Sequence, residues 1–242
     1  MKSRYQTYKN NHLQLEGVSL TAVAKAVGTP FYVYSRSEIE DSFHAYDEAL
    51  AAIPHLVCFA LKANSNLAVA RILSRLGAGA DIVSAGELHR VLLAGFSPKN
   101  IIFSGVGKTK NELALAITKG IRIINVESAE ELYALNDVAR ALKRVAPFSL
   151  RVNPDVRAGG HPHISTGTPE NKFGVYYKNI FPLYQWAVLQ KYLKPVGIQS
   201  HIGSQITNVA PYRRAVTVLL DLLDSLRARW NFWVQTNRAN AV

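Results

Sequence analysis

A lysine at the end of an apolar run has the clearest capacity for chemistry in this chain. Residues 57–61 are apolar without a break, Lys62 follows them directly, and Asn64 and Asn66 stand where a helix would begin behind it. An unbroken short apolar run is typical of a strand buried on both faces of a parallel sheet. An amine held at the end of such a strand loses solvation, which favours its neutral form, a nucleophile toward carbonyl carbon. The alternative is a surface lysine whose stem covers the rim of the sheet.

Polar side chains also end the other predicted strands. They are Asp81 with Ser84, Ser104, Glu127, Arg151 with Asn153, and His201 with Ser204. The carboxyl ends of all strands in an α/β barrel face one rim, which is where such barrels carry out chemistry. Each residue also has a structural explanation: Asp81 could cap a helix, Arg151 could pair with a carboxylate inside the barrel, and His201 could be a hydrogen-bonded core histidine. Their coincidence at one rim favours a functional site.

Two glycine-containing segments could bind phosphate. Residues 104–109 (Ser-Gly-Val-Gly-Lys-Thr) resemble a phosphate loop, but they lack the four-residue spacing between the first glycine and the Gly-Lys pair, so we predict no nucleotide site there. Gly203 and Ser204, beside His201, could offer a backbone N–H and a hydroxyl to a phosphate group.

Alternating strands and helices must position these residues. Strands are predicted at 56–62, 80–83, 101–103, 121–126, 148–152 and 196–202, and each is followed by a segment with apolar residues at helical spacing. Glycines close three of the helices, at Gly77, Gly95 and Gly120. About six such units predict an incomplete (β/α)8-type TIM barrel rather than an open doubly wound sheet.

The residues before the barrel are predicted to differ from it. Residues 1–20 are expected to be a surface lead-in, and the aromatic and β-branched residues 29–35 predict a further strand. Ser37 is expected to cap the first barrel helix, and Ser128 with Glu131 fits a capping box farther along.

Composition excludes several classes of protein. The chain has 242 residues, of which 48% are hydrophobic and 19% charged, which is typical of a globular protein with a substantial core. It has no apolar run long enough to span a bilayer, so we expect no membrane contact. The net charge of +11 is scattered, without a basic run or a nucleic-acid-binding motif, so we expect no nucleic-acid partner. The single cysteine, Cys58, suits a reducing, cytoplasmic compartment.

Several motifs together carry a specific resemblance. Residues 59–64 (Phe-Ala-Leu-Lys-Ala-Asn) resemble the lysine strand of the fold-type III pyridoxal-phosphate decarboxylases, and residues 81–88, 124–128, 151–154 and 201–205 match further motifs in the same order. Residues 161–167, with 171–175, resemble the diaminopimelate decarboxylases in particular.

The resemblance implies roles for the matched residues and a cofactor, pyridoxal 5′-phosphate. It assigns the cofactor-binding roles to Lys62 as the Schiff-base lysine, Arg151 near the ring hydroxyl, His201 against one face of the ring and Ser204 at the phosphate. Lys62 and His201 would also be catalytic, Asp81 and Glu87 would shape the site, and no metal is implied. The implied substrate is a small amino acid, meso-2,6-diaminopimelate, which loses carbon dioxide to give L-lysine.

The family pattern also implies features that this chain does not show. It continues with a glycine-rich phosphate loop, two more barrel strands and a C-terminal β domain, whereas residues 230–242 match none of these. We therefore expect three parts: a lead-in at 1–35, a partial cofactor-binding barrel at 36–229, and a tail at 230–242 that is foreign to the family. The strand of the lead-in would join the absent β domain. Such a truncated chain is expected to have impaired activity. The homodimer that the family forms stays an open question for it.

The sequence leaves two alternative interpretations of the chain's function open. The chain could belong to another fold-type III enzyme, such as an ornithine or arginine decarboxylase or an amino-acid racemase, although the motifs at 164–167 and 171–174 argue against these. It could also be a non-catalytic remnant.

Overall fold

The computed structural model describes residues 4–156, 173–204 and 206–230. Its first elements are the antiparallel strands β1 (Gln6–Lys9), β2 (His12–Leu15) and β3 (Val18–Ser19), followed by helix α1 (Leu20–Val27). Ser19 caps α1, since its side chain accepts from the Ala22 N–H. Most of residues 4–20 are exposed, although Leu15 is buried, and the small sheet and the helix of this segment were not predicted.

The segment predicted as a strand, residues 29–35, pairs with no strand among the described residues and leads into α2 (Arg36–Ala49). The expectation that this segment joins a β domain stays a prediction. Aromatic and β-branched residues form a strand only where a neighbouring backbone completes the hydrogen bonds. The cap of α2 also differs from the prediction, because Ser35, not Ser37, accepts from the Glu38 N–H at 3.0 Å.

Beyond α2, strands and helices alternate as predicted, except for the short β9, which was not predicted. The elements are β4 (Cys58–Ala60), a 3-10 turn (Leu61–Ala63), α3 (Leu67–Arg75), β5 (Gly79–Ile82), α4 (Ala85–Leu93), a 3-10 turn (Pro98–Asn100), β6 (Ile101–Phe103), α5 (Lys110–Lys119), β7 (Ile123–Val126), α6 (Ala129–Leu142), β8 (Ala146–Asn153), β9 (Val175–Tyr176), a 3-10 turn (Tyr177–Asn179), α7 (Ile180–Ala187), β10 (Leu193–Gln199) and α8 (Ala210–Trp230). None of the helices in the described ranges is long and apolar enough to cross a lipid bilayer.

The sheet has the strand order of a barrel segment. Its strands follow the order β10-β8-β7-β6-β5-β4, all neighbours are parallel, and the short β9 pairs with the far end of β8. The order never reverses along the chain, so the right-handed crossovers place the helices on one face, as in a TIM barrel and unlike a doubly wound sheet. The predicted fold class is therefore confirmed for the units that the structure describes.

Strand alternation divides the side chains of the sheet into two sets. One set, which includes Phe103, Ile124 and Phe148, is fully buried in the main hydrophobic core. The other set, which includes Asp81, Asn125 and Ser149, lines a cavity of about 220 Å3 on the opposite face. That second face is mixed, since apolar residues such as Ile102 and Ile123 line the same cavity.

Candidate active site

Lys62 lies at the carboxyl end of the first barrel strand. The strand is shorter than predicted and stops at Ala60, so Lys62 is the middle residue of the 3-10 turn that follows it. Lys62 lines a cavity of about 270 Å3 but is exposed, so the loss of solvation expected for its amine is not observed. The turn ends at Asn64, and Asn66 caps α3 by accepting from the Ala68 N–H at 2.8 Å.

Five of the residues predicted from the sequence meet at this cavity. Lys62, Asp81, Ser104, Arg151 and His201 line it, although they come from five different βα units. Parallel strands bring their carboxyl ends to one edge, which is why residues so distant in sequence converge. Further lining residues were not predicted: Val83, Gly105, Val106, Phe173 and Gln199.

A line of hydrogen bonds crosses the sheet and ends at Asp81. Ser104 Oγ donates to Asp81 Oδ1 at 2.6 Å, and Asn125 Nδ2 donates to Ser104 Oγ at 2.9 Å. Ser149 Oγ in turn donates to Asn125 Oδ1 at 2.5 Å. Asn125 and Ser149 were not predicted as site residues, although strand alternation places both on the same face as Asp81 and could have identified them.

Burial dominates the electrostatics of Asp81. It raises the pKa of this carboxyl, while the Ser104 hydrogen bond and the Lys62 charge lower it. Glu87 raises the same pKa and Lys108 lowers it. The cationic neighbours and the hydroxyl donor thus favour the charged carboxylate that burial disfavours.

Arg151 is held by a buried carboxylate. Its Nη1 donates to both oxygens of Glu127, at 2.9 and 2.8 Å, and the Glu127 side chain is only 2% exposed. The Gly105 N–H donates to the same carboxylate at 3.0 Å. The Arg151 guanidinium also lies 5.4 Å from the centre of the Phe173 ring. The prediction that Arg151 could pair with a carboxylate is therefore correct, and Arg151 lines the cavity.

His201 follows β10 on the opposite side of the cavity from the early strands. Partial burial lowers the pKa of His201, the Arg151 and Lys62 charges lower it further, and Glu127 raises it. The neutral imidazole is therefore the favoured form near neutral pH. A neutral ring can lie against a planar ligand without adding a further positive charge to the cavity.

The other predicted residues lie apart from the cavity lining. Ser84 caps α4 by accepting from the Glu87 N–H at 3.2 Å, and Glu87 accepts from the Val83 N–H at 2.7 Å. Asn153 accepts from the backbone two residues later. Ser204 is exposed, and its phosphate role stays a prediction. Gln205 and residues 161–167, 171 and 172 lie outside the described residues.

Comparisons with known proteins agree with this geometry. Residues 36–235 match the family model for the pyridoxal-dependent decarboxylase, pyridoxal binding domain. The chain is 51% identical over 223 residues to the diaminopimelate decarboxylase of Pseudomonas aeruginosa, with 92% of this chain and 54% of that protein covered.

Solved structures show the same relationship. The diaminopimelate decarboxylase of Helicobacter pylori, complexed with L-lysine, is 41% identical with a TM-score of 0.84, and the match covers 86% of this chain and 53% of that one. The diaminopimelate decarboxylase of M. jannaschii, also in complex with L-lysine, is 35% identical with a TM-score of 0.87, and the match covers 93% of this chain and 54% of that one.

The chain thus spans about half the length of the curated relatives that it matches. The predicted resemblance and the predicted cofactor are confirmed at the level of the family, since the matching domain is the one that binds pyridoxal. Because this match covers most of its residues, the chain belongs to the pyridoxal-dependent decarboxylase family.

Proposed function

We propose that this chain provides the pyridoxal-phosphate-binding part of a diaminopimelate decarboxylase. Such an enzyme converts meso-2,6-diaminopimelate into L-lysine and carbon dioxide. The observation that carries the proposal is the convergence of Lys62, Arg151 and His201 on one cavity within the matched domain. We assign the cofactor site to residues 36–229.

The chemistry of the cavity lining fits this cofactor. Lys62 and Arg151 are cationic groups that suit a phosphorylated, anionic ligand. His201 and Phe173 add flat rings beside them, and the volume of about 270 Å3 is near the lower end of ligand pockets. When bound, pyridoxal phosphate supplies an electron sink for the pair of electrons released as carbon dioxide leaves.

The residues of this chain would divide the remaining work. The Lys62 amine would hold the cofactor covalently through its aldehyde carbon and could afterwards carry a proton. His201, neutral because of its surroundings, would lie against one face of the ring. Arg151, fixed by Glu127, would sit near the ring hydroxyl, and Ser204 would bind the phosphate. Asp81 would give the Lys62 amine an anionic neighbour.

The substrate and the compartment extend the same proposal. The relatives named diaminopimelate decarboxylase support an amino-acid substrate with two amino groups, and both solved structures described above hold L-lysine. The unpaired Cys58 supports a reducing, cytoplasmic setting.

Trapping with borohydride tests the cofactor site. Purified chain is mixed with pyridoxal phosphate, reduced, digested and mapped by mass spectrometry. We expect the label on Lys62 in the unaltered chain and in Lys110→Ala, a control at an exposed position, and no label at that position in Lys62→Ala. A label spread over surface lysines without preference for Lys62 would refute the assignment.

A second measurement addresses the reaction. Release of carbon dioxide from meso-2,6-diaminopimelate is measured for the chain, with ornithine and arginine as alternative substrates. Release from diaminopimelate alone supports the proposed substrate, and release from either alternative contradicts it. A Lys62 label without any release would indicate a remnant that binds the cofactor without turnover.

A further inference from the structure

Lys108 is a buried lysine that the proposed chemistry does not use. Its side chain is 0% exposed, and its Nζ donates to Gly105 O at 2.5 Å, Asn125 O at 2.7 Å and Glu131 Oε1 at 2.7 Å. An ammonium group has only three N–H donors, so all of them are used. This explains why the segment 104–109 is no phosphate loop: its lysine points into the protein.

Glu131, the carboxylate partner of Lys108, does not use its side chain to complete the capping box of α6. Ser128 caps α6 by accepting from the Glu131 N–H at 3.2 Å, as the predicted capping box requires. The Glu131 carboxylate, however, accepts from Lys108 with one oxygen and from the Glu127 N–H, at 3.0 Å, with the other. Glu131 therefore fixes the backbone of the residue that holds Arg151.

Lys108 also holds Gly105, which donates to the same Glu127 carboxylate as Arg151. The Gly105 C=O accepts from Lys108, while the Gly105 N–H donates to the carboxylate of Glu127. Both backbone groups of Gly105 are thus occupied, at a φ of 98° that glycine adopts without strain. Lys108, Glu131, Glu127 and Gly105 form a closed set of contacts, and the Arg151 guanidinium is bound to it.

We propose that Lys108 and Glu131 are positioning residues, which hold Glu127 and Gly105 so that the Arg151 guanidinium faces the cavity. The functional consequence of this positioning rests on the proposed function, because the position of Arg151 affects cofactor binding only if Arg151 contacts the cofactor. Stability alone does not require this pair, since a buried ion pair can often be replaced by apolar residues without loss. Burial raises the pKa of Glu131, and the Lys108 charge and hydrogen bond lower it.

Three variants separate positioning from stability. Lys108→Met leaves a buried carboxylate without its cation and should destabilise the fold. The double variant Lys108→Met with Glu131→Leu removes both charges and should be more stable than Lys108→Met, although three backbone groups, the Glu127 N–H, Gly105 O and Asn125 O, still lose a partner. It still removes the acceptor for the Glu127 N–H and the donor for Gly105 O, so Arg151 should remain displaced. Lys110→Met, on an exposed lysine two residues away, is the matched control.

Two measurements are made on each variant: the dissociation constant of pyridoxal phosphate, trapped at Lys62, and the guanidinium signals of Arg151 in 15N NMR, assigned with Arg151→Lys. We expect the double variant to have a free energy of unfolding above that of Lys108→Met and below that of the unaltered chain. In its folded form it should bind the cofactor about 10- to 100-fold more weakly, which corresponds to the loss of one hydrogen bond to a charged group. Its Arg151 signals should shift, while those of Lys110→Met stay in place.

The outcomes are distinct. A stable double variant with unchanged affinity and unchanged Arg151 signals overturns the positioning role. If Lys62 of the unaltered chain is not labelled at all, the proposed function fails, but the Arg151 signals still decide the positioning role. Should the Met variants not fold, Glu131→Gln keeps the shape but has one acceptor oxygen in place of two, so it cannot accept from both Lys108 and the Glu127 N–H, and the same shift of the Arg151 signals is required.

Discussion

A single buried hydroxyl joins the two strands that carry the later half of the site. Tyr184, fully buried on α7, donates its hydroxyl hydrogen to Gly197 O at 2.6 Å and accepts from the Leu150 N–H at 3.2 Å. Gly197 lies where the register between β10 and β8 shifts, and Leu150 immediately precedes Arg151. The hydroxyl therefore holds β10 in place beside β8 where the regular ladder is interrupted.

Tyr184→Phe removes this hydroxyl and keeps the ring. The ring still packs with Phe148, whose centre is 6.0 Å away, so no large cavity forms. The buried Leu150 N–H and the C=O of the half-buried Gly197 both lose this partner, and each such loss costs about 1–3 kcal/mol where the group is buried. We expect the free energy of unfolding to fall by about 2–4 kcal/mol, the lower value applying if a water molecule replaces the hydroxyl.

Urea unfolding followed by tryptophan fluorescence and by circular dichroism measures this loss. The control is Tyr133→Phe, whose ring is 45% exposed and packs edge-on against Trp186, and whose substitution should change the free energy by less than about 0.5 kcal/mol. A loss for Tyr184→Phe no larger than that of the control would show that the hydroxyl does not tie the strands together, and the reasoning would be wrong.

Three further predictions follow from local contacts. His55 donates to the Ile53 carbonyl and to Asp47, and both contacts raise the pKa of His55. The stabilising contribution of His55 should be complete below about pH 6.5 and disappear as the pH rises through the raised pKa. Unfolding of the unaltered chain and of His55→Gln as a function of pH measures this contribution. Gly79→Ala should destabilise the fold by about 1–3 kcal/mol or more, because its new Cβ would lie 2.5 Å from Cys58 Sγ. Burial raises the pKa of Cys58 to about 12, so alkylation of the folded chain at pH 7 should be far slower than alkylation in urea.

Each of these three predictions can be contradicted by a specific result or checked against a control. A stability difference between the native chain and His55→Gln that grows with rising pH would reverse the sign and refute the assigned contacts. Gly107→Ala, at a site where nothing lies within 4 Å of the added carbon, is the control for Gly79→Ala and should be close to neutral. Equal alkylation rates in folded and unfolded chain would show that the Cys58 thiolate forms readily.

The alternation of strands and helices could be predicted because its signals are local. Apolar runs, helical spacing and terminal glycines lie within a few residues of the elements that they specify, so β6 was predicted with its observed bounds and the other barrel strands within a few residues. The position of Lys62 at a strand end follows from the same local pattern. The prediction that strand-end residues share one rim needed only the rule that parallel strands end together.

Contacts between distant segments decided the rest. Residues 29–35 have the composition of a strand but no pairing partner among the described residues, and Glu131 has the spacing of a capping box but turns to Lys108. Ser35, not Ser37, caps α2, and Glu16, about twenty residues earlier, accepts from the Ser37 N–H at 2.8 Å.

What the sequence by itself determined is the order of the elements, the lysine at the end of the first barrel strand and the family to which the chain belongs. Only the tertiary structure decided which polar side chains meet, that Asn125 and Ser149 extend the line to Asp81, and that Lys108 is buried as a support for Arg151 through Glu127. The physical reason is that propensity and periodicity act over one or two turns of chain. The buried contacts of Lys108 and Glu127, in contrast, join residues that are 17 to 24 positions apart and become neighbours only once the strands have assembled.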